Sequence, residues 1–194
     1  MIRTVPTVIT HNYDPDRGPF GNICNLPSAD AQRILREIGA SGLRRIKPDY
    51  LERRLATERW LLSERTRKLG RPHLIRPIYF FLGDFADGQD PSRPHSIQVP
   101  LAVFSPQMIT FTYPDSMASL PIANRSDHAA IRKRYHGEVF TLDEIGRIVS
   151  EFGMPDKRSP TYDRFIEVQV WDDRPLKGSA QDLSLGHGIG RQDR

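Results

Sequence analysis

A single cysteine, Cys24, stands in the 194 residues, so no disulfide can close within the chain, and one lone thiol fits a reducing compartment. It has no obvious base beside it and reads as an inert thiol rather than a nucleophile. No apolar run approaches the ~20 residues that a membrane span requires. The opening Met1-Ile2-Arg3-Thr4-Val5-Pro6 lacks the apolar stretch of a signal peptide. These absences lead us to expect a soluble, cytoplasmic protein with no membrane partner. There is no GxxxxGK[ST] phosphate loop and no GxGxxG following a strand, which argues against the common nucleotide-binding classes. The six histidines and one cysteine have no zinc spacing, and Asp84, Asp87 and Asp90 lack the pattern of a calcium loop; no metal is expected.

What is present is globular. Hydrophobic residues make up 38% and charged residues 27%, enough to bury a core in one domain. The expected domain covers residues 1–176. The Gly/Ser-rich, polar stretch 177–194 is expected to be a disordered tail. The net charge is only +4, but it is unevenly spread. Between Arg44 and Arg76 eleven Lys or Arg face four Asp or Glu, a local +7, which leaves the remainder near −3. Such a stripe either attracts phosphates or forms a solvated, ion-paired helix face.

Periodicity supplies the elements. Thr4–Thr10, Arg76–Leu82, Ser96–Val103, Gln107–Thr112 and Arg164–Trp171 read as strands. Ser28 opens a helix whose Ala31, Ile34, Leu35 and Ile38 fall on one face, ended by Gly39 and Gly42. A second helix runs from Pro48 to about Lys68, with Leu51, Leu55 and Leu62 as its apolar stripe and Trp60 off it. Pro114 to His128 reads as irregular. Thr141-Leu142-Asp143-Glu144 is a capping box that starts a third helix with Ile145, Ile148, Val149 and Phe152 inward. Strands and helices without regular alternation argue for an α+β domain.

Three residues hold chemistry in reserve. Glu167 sits in the alternating segment Phe165-Ile166-Glu167-Val168-Gln169-Val170-Trp171, so it shares a face with Gln169 and Trp171 while the Ile/Val set faces the core. A carboxylate in a cleft there suits acid/base chemistry; on a one-sided sheet it simply faces water. His11 follows the first strand and fits either a ligand contact or a structural hydrogen bond. Tyr79 lies mid-strand and fits either ring stacking or core packing.

Taken in order, these segments resemble the ADP-ribosyltransferase fold, and within it the DarT-like enzymes that modify single-stranded DNA. The resemblance runs through Thr10-His11, Asn25-Leu26-Pro27-Ser28, Arg53-Arg54-Leu55, Pro77-Ile78-Tyr79-Phe80 and Glu167-Val168-Gln169-Val170. The chain departs from the family pattern after the aromatic strand, with Phe81-Leu82-Gly83-Asp84 where those enzymes carry Ser-Pro-Arg-Ser-Pro-Met. What the resemblance implies is a mixed, split β-sheet around a cleft with flanking helices, and NAD as the substrate of a toxin-like transferase acting on nucleic acid. It also implies Glu167 as the catalytic carboxylate, His11 on a ribose, Tyr79 stacked on nicotinamide, and Arg53 and Arg54 on phosphates. Two other readings stay open. One is a non-catalytic nucleic-acid-binding module using the basic stripe and the aromatics. The other is a protein-interaction domain whose basic helix meets an acidic partner such as an antitoxin.

Overall fold

The computed structural model describes residues 5–86, 90–158 and 163–177. The chain folds into a single α+β domain. Among the described residues five strands form one sheet: β1 (Val8–Tyr13), β2 (Ile78–Leu82), β3 (His95–Pro100), β4 (Ile109–Thr112) and β5 (Glu167–Val170). Their spatial order is β3-β1-β2-β5-β4, and every pairing is antiparallel. Four α-helices among the described residues accompany it: α1 (Ser28–Ala40), α2 (Tyr50–Leu69), α3 (Ser116–Asn124) and α4 (Leu142–Phe152). None is long and apolar enough to cross a membrane.

The expected mixed, split sheet is therefore corrected to a continuous antiparallel one. A trace of a split survives at its centre. β1 and β2 pair through only two positions, Ile9↔Leu82 and Thr10↔Phe81, whereas β1 pairs with β3 along its whole length. Beyond Thr10 the two strands separate, and the His11 imidazole, not a ladder amide, bonds the Tyr79 carbonyl. The opening that results is where the cavity lies.

Both faces of the sheet are covered. On one face Ile166, Val168 and Val170 pack with Phe80, Phe111 and the Ile145, Ile148, Val149 stripe of α4. That helix begins with the expected capping box, Thr141 and Glu144 each bonding the other's backbone. On the other face Trp171 packs with Leu61 of α2 and Val139. β5 is consequently buried at all four positions.

Several boundaries differ from the sequence reading. β1 begins and ends later than Thr4–Thr10, because Thr10, His11 and Asn12 are buried polar residues that find partners and so extend the strand. β3 stops at Pro100, and tight turns at Leu101–Val103 and Pro106–Met108 separate it from β4. α3 occupies part of the stretch expected to be irregular. Asp115 caps it by accepting the Ala118 N–H at 3.0 Å, while Pro121 inside it hides the helix from a propensity reading.

The largest correction concerns α2. Its inward face is not the leucine stripe: Leu51, Leu55 and Leu62 are half-buried, while Arg54, Thr57, Glu58, Leu61 and Arg65 are buried. A charged face can turn inward because its groups find partners there: Glu58 accepts from Asn22 and Tyr79 and faces Arg54, and Arg65 donates to the Gly70 and Gln107 carbonyls. The tail reading lies outside the described residues from 178 onward, and Leu176 is buried in the core.

Candidate functional site

The cavity measures about 570 Å³ and takes its walls from β1, β2, β5, α1, α2 and the loop after β1. That is within the ~300–1,000 Å³ typical of small-molecule sites. His11, Arg54, Tyr79 and Glu167, 156 positions apart at the extremes, all line it. Arg53 does not; it is half-buried on another side of α2. Leu26 of the Asn25-Leu26-Pro27-Ser28 element lines the wall beside Ile34, Leu35 and Ile38 of α1. Arg44 and Arg93 add cationic groups to the same lining.

His11 builds the wall and does not offer a free nitrogen. Nδ1 bonds the Tyr79 carbonyl at 2.8 Å, and Nε2 accepts the Phe20 N–H at 2.9 Å. That pairing fixes the tautomer with the proton on Nδ1. Burial lowers its pKa to about 4, with Arg93 assisting and the Tyr79 bond opposing. His11 thus ties the loop after β1 to β2 and is neutral near pH 7. The ribose contact expected of its ring would cost one of these two bonds.

Tyr79 has a fixed ring and a committed hydroxyl. Its OH donates to Glu58 Oε1 at 3.0 Å, and the Arg54 guanidinium carbon lies 3.7 Å from its ring centroid. A ligand ring therefore has only the opposite face to stack on. Burial raises the phenol well above its ordinary pKa; Arg54 opposes this, and Glu58 and Glu167 add to it. Arg54 is buried as well. Burial works against its charge, but Tyr79, Glu167, Tyr50 and Glu58 together outweigh that and hold its pKa above the ordinary arginine value.

Glu167 faces the cavity from the start of β5 and is only 7% exposed. Its Oε1 accepts from the Ser116 backbone N–H at 3.3 Å and from Gln169 Nε2 at 3.0 Å. Gln169 is held in turn by Thr110 and Thr112, and Trp171 Nε1 donates to Thr110. The alternating face read from the sequence is thus a ladder of buried polar groups that fixes one carboxylate oxygen. Both hydrogen bonds from described residues fall on Oε1, which leaves Oε2 for a ligand. Beside it, burial pushes the Asp115 carboxyl up to about 6, and the Glu167 charge adds to the rise.

Sequence reasoning missed Glu58, Asn22 and Asp115. The only signal for Glu58 was its place four residues after Arg54, a spacing that also describes an exposed ion pair. At the opposite end of β5, His73, Asp172 and Asp173 bring ligating atoms within 4.8 Å of one another, yet Arg174 already bonds both Asp172 oxygens. Outside the cavity Arg45, Lys47, Arg59 and Arg71 are exposed and have no ion-pair partner among the described residues. No protein-family model, curated protein or solved structure matches the chain.

Proposed function

We propose that this chain is a cytoplasmic ADP-ribosyltransferase that takes NAD as its substrate and nucleic acid as its acceptor. One observation carries the reading: Glu167, Tyr79, Arg54 and His11, from three strands and a helix, line one cavity of ligand size. The donor set suits a dinucleotide. Arg44, Arg54 and Arg93 offer charge to a pyrophosphate, and the Ile34, Leu35, Ile38 wall offers an apolar surface to a base.

The chemistry asks little of the protein beyond charge and position. The bond from nicotinamide to ribose breaks with its electron pair leaving on nicotinamide, and the ribose becomes an oxocarbenium-like cation. Glu167, anchored through Oε1, stabilises that cation with its second oxygen. An acceptor nucleophile then bonds the ribose carbon, and its proton passes to Glu167. Tyr79 keeps one ring face for nicotinamide, and Arg54 behind it supplies positive charge to phosphate oxygens. The exposed cations Arg45, Lys47 and Arg59, without an ion pair among the described residues, suit an acceptor's phosphates.

The test is NAD titration followed by nicotinamide release, with single-stranded DNA, tRNA or bulk protein offered as acceptor. Release stimulated by a nucleic acid supports the reading. Failure to bind NAD removes it and favours a non-catalytic module that meets nucleic acid or an acidic protein through the basic residues.

A further inference from the structure

Behind the cavity wall lies a carboxylate with no contact to the cavity itself. Glu58 is 3% exposed, yet it gathers side chains from three separate elements. Its Oε1 accepts from Asn22 Nδ2 at 2.8 Å and from the Tyr79 hydroxyl at 3.0 Å, and lies 3.4 Å from Arg54 Nε. Asn22 uses the same amide to reach the Pro77 carbonyl at 2.9 Å, so the loop after β1 and the entry to β2 are bound to one point. Glu58 Oε2 makes no hydrogen bond among the described residues and faces Arg76 NH1 at 3.6 Å.

A buried carboxylate with one oxygen unsatisfied is a poor way to stabilise a fold. Desolvation opposes it, and an apolar side chain of similar size commonly serves stability as well or better. What Glu58 does supply is geometry. It holds the Tyr79 hydroxyl, which fixes the ring that lines the cavity. It also faces Arg54 Nε at 3.4 Å, while the Glu167 charge acts on the same guanidinium with no ion pair between the two among the described residues. Without this rear partner Arg54 is free to settle on Glu167 and neutralise the one group that must remain an uncommitted anion.

We infer that Glu58 is the positioning residue of this site: it holds Arg54 off Glu167 and fixes the Tyr79 ring, and it acts through them without touching substrate. The inference rests on the transferase reading above. It predicts a split between kinetic constants. In Glu58→Gln the amide still accepts from Tyr79 and Asn22 and the shape is nearly kept, but Arg54 loses its rear charge. The expected result is a kcat reduced on the order of 10–100-fold with KM within about threefold, since misplacement near the reacting atoms costs turnover more than binding. Glu58→Asp restores the charge one methylene short and should stand between the two.

A second readout does not depend on activity. The Cys24 thiol is pushed up to about 11 by burial and then by the Glu58 charge. It is the chain's only thiol, so the absorbance difference between the protein and its Cys24→Ser variant titrates the thiolate free of tyrosine ionisation. Glu58→Gln should lower that midpoint. The experiment measures kcat, KM and thiol titration for the wild type and both variants at a temperature where each is folded. Should Glu58→Gln fail to fold, Glu58→Asp with lowered kcat and unchanged KM carries the same meaning. A wild type that releases no nicotinamide overturns the transferase reading, and Glu58's role with it. An active wild type whose Glu58→Gln turns over equally fast, or whose Cys24 midpoint does not move, overturns the role of Glu58 alone.

Discussion

The Arg54 guanidinium carbon stands 3.7 Å from the centre of the Tyr79 ring, and both side chains belong to the wall of one cavity. Ring and cation hold each other in place, while the Tyr79 hydroxyl adds a bond to Glu58. Substitutions separate these contributions. Tyr79→Phe keeps the ring under Arg54 and removes one hydrogen bond to a buried carboxylate, at a cost of about 1–3 kcal/mol. Tyr79→Ala also removes the ring and leaves a cavity, so it should cost roughly 3–5 kcal/mol. NAD affinity should survive in the phenylalanine variant and be lost in the alanine one. Equal melting temperatures and equal affinities for the two would show that the ring does neither job.

The α+β class, the five strands and three of the four helices were legible in the sequence because their signals are local: a capping box at Thr141, β-branched runs, and glycines after helices. The convergence of His11, Tyr79 and Glu167 was legible only through resemblance, since nothing local places residues from three strands on one cavity. The inward face of α2 was not legible at all. Arg54, Glu58 and Arg65 at helical spacing look like a solvated face, and only partners the fold brings in, Asn22 and Tyr79 for Glu58 and the Gln107 carbonyl for Arg65, make burying them tolerable. α3 was hidden for a different reason, a proline in its middle where the missing N–H argues against helix.

Acid sensitivity follows from two buried groups with opposite signs. His11 has its pKa lowered from 6.5 to about 4, so the unfolded chain takes the proton first. Its contribution to stability is complete above pH 6.5 and is lost as pH falls toward 4, roughly 3 kcal/mol in all. Asp115 is raised from 3.8 to about 6, so its contribution is complete below 3.8 and is lost as pH rises through 6. Between pH 4 and 6 the two oppose each other. Urea midpoints measured across that range should rise with pH less steeply than His11 alone dictates. His11→Gln, which keeps one donor and one acceptor, should turn the slope downward, and Asp115→Asn should steepen it. Identical slopes in all three proteins would mean that neither group is shifted.

Gly137 tests the packing of α3. It has a φ of +78°, and a Cβ built on it would lie 2.4 Å from the Ala123 Cβ. Gly137→Ala therefore incurs both a left-handed backbone penalty and a clash, together roughly 2–4 kcal/mol. For a chain of this size that is a fall in melting temperature of roughly 5–15 °C. Ala123→Gly in the same chain should recover the part due to the clash and leave the backbone part. A single variant that melts with the wild type would mean the turn at Gly137 packs elsewhere.

Arg53 separates acceptor from NAD. It is outside the cavity lining, so Arg53→Glu should leave NAD affinity unchanged. If the basic residues meet nucleic acid, the slope of log affinity for single-stranded DNA against log salt should shrink by about one unit per lost phosphate contact. Titrations at several salt concentrations give both numbers. A change in NAD affinity with DNA binding intact would assign Arg53 to the cavity instead.

Glu167→Gln bears most directly on the chemistry. The ladder that holds Glu167 needs an acceptor at one oxygen, and a glutamine carbonyl still accepts from the Ser116 N–H and from Gln169. The strand also keeps its pairing to β2 and β4, because Ile166, Val168 and Val170 remain in the core. The fold should survive with little change in melting temperature. Stability gains from another direction too: removing the Glu167 charge relieves Asp115, whose carboxyl is raised partly by it, so the Asp115 pKa should move back down. What disappears is the anion beside the forming ribose cation and the base that takes the acceptor's proton. Loss of a positioned acid/base group costs about 10²–10⁴ in rate, and the missing transition-state charge adds to that. Nicotinamide release by the variant should therefore be at background while NAD still binds. A variant that folds, binds NAD and releases nicotinamide as fast as the wild type would make Glu167 an ordinary buried strand residue, and the chemistry would have to be sought at Asp115.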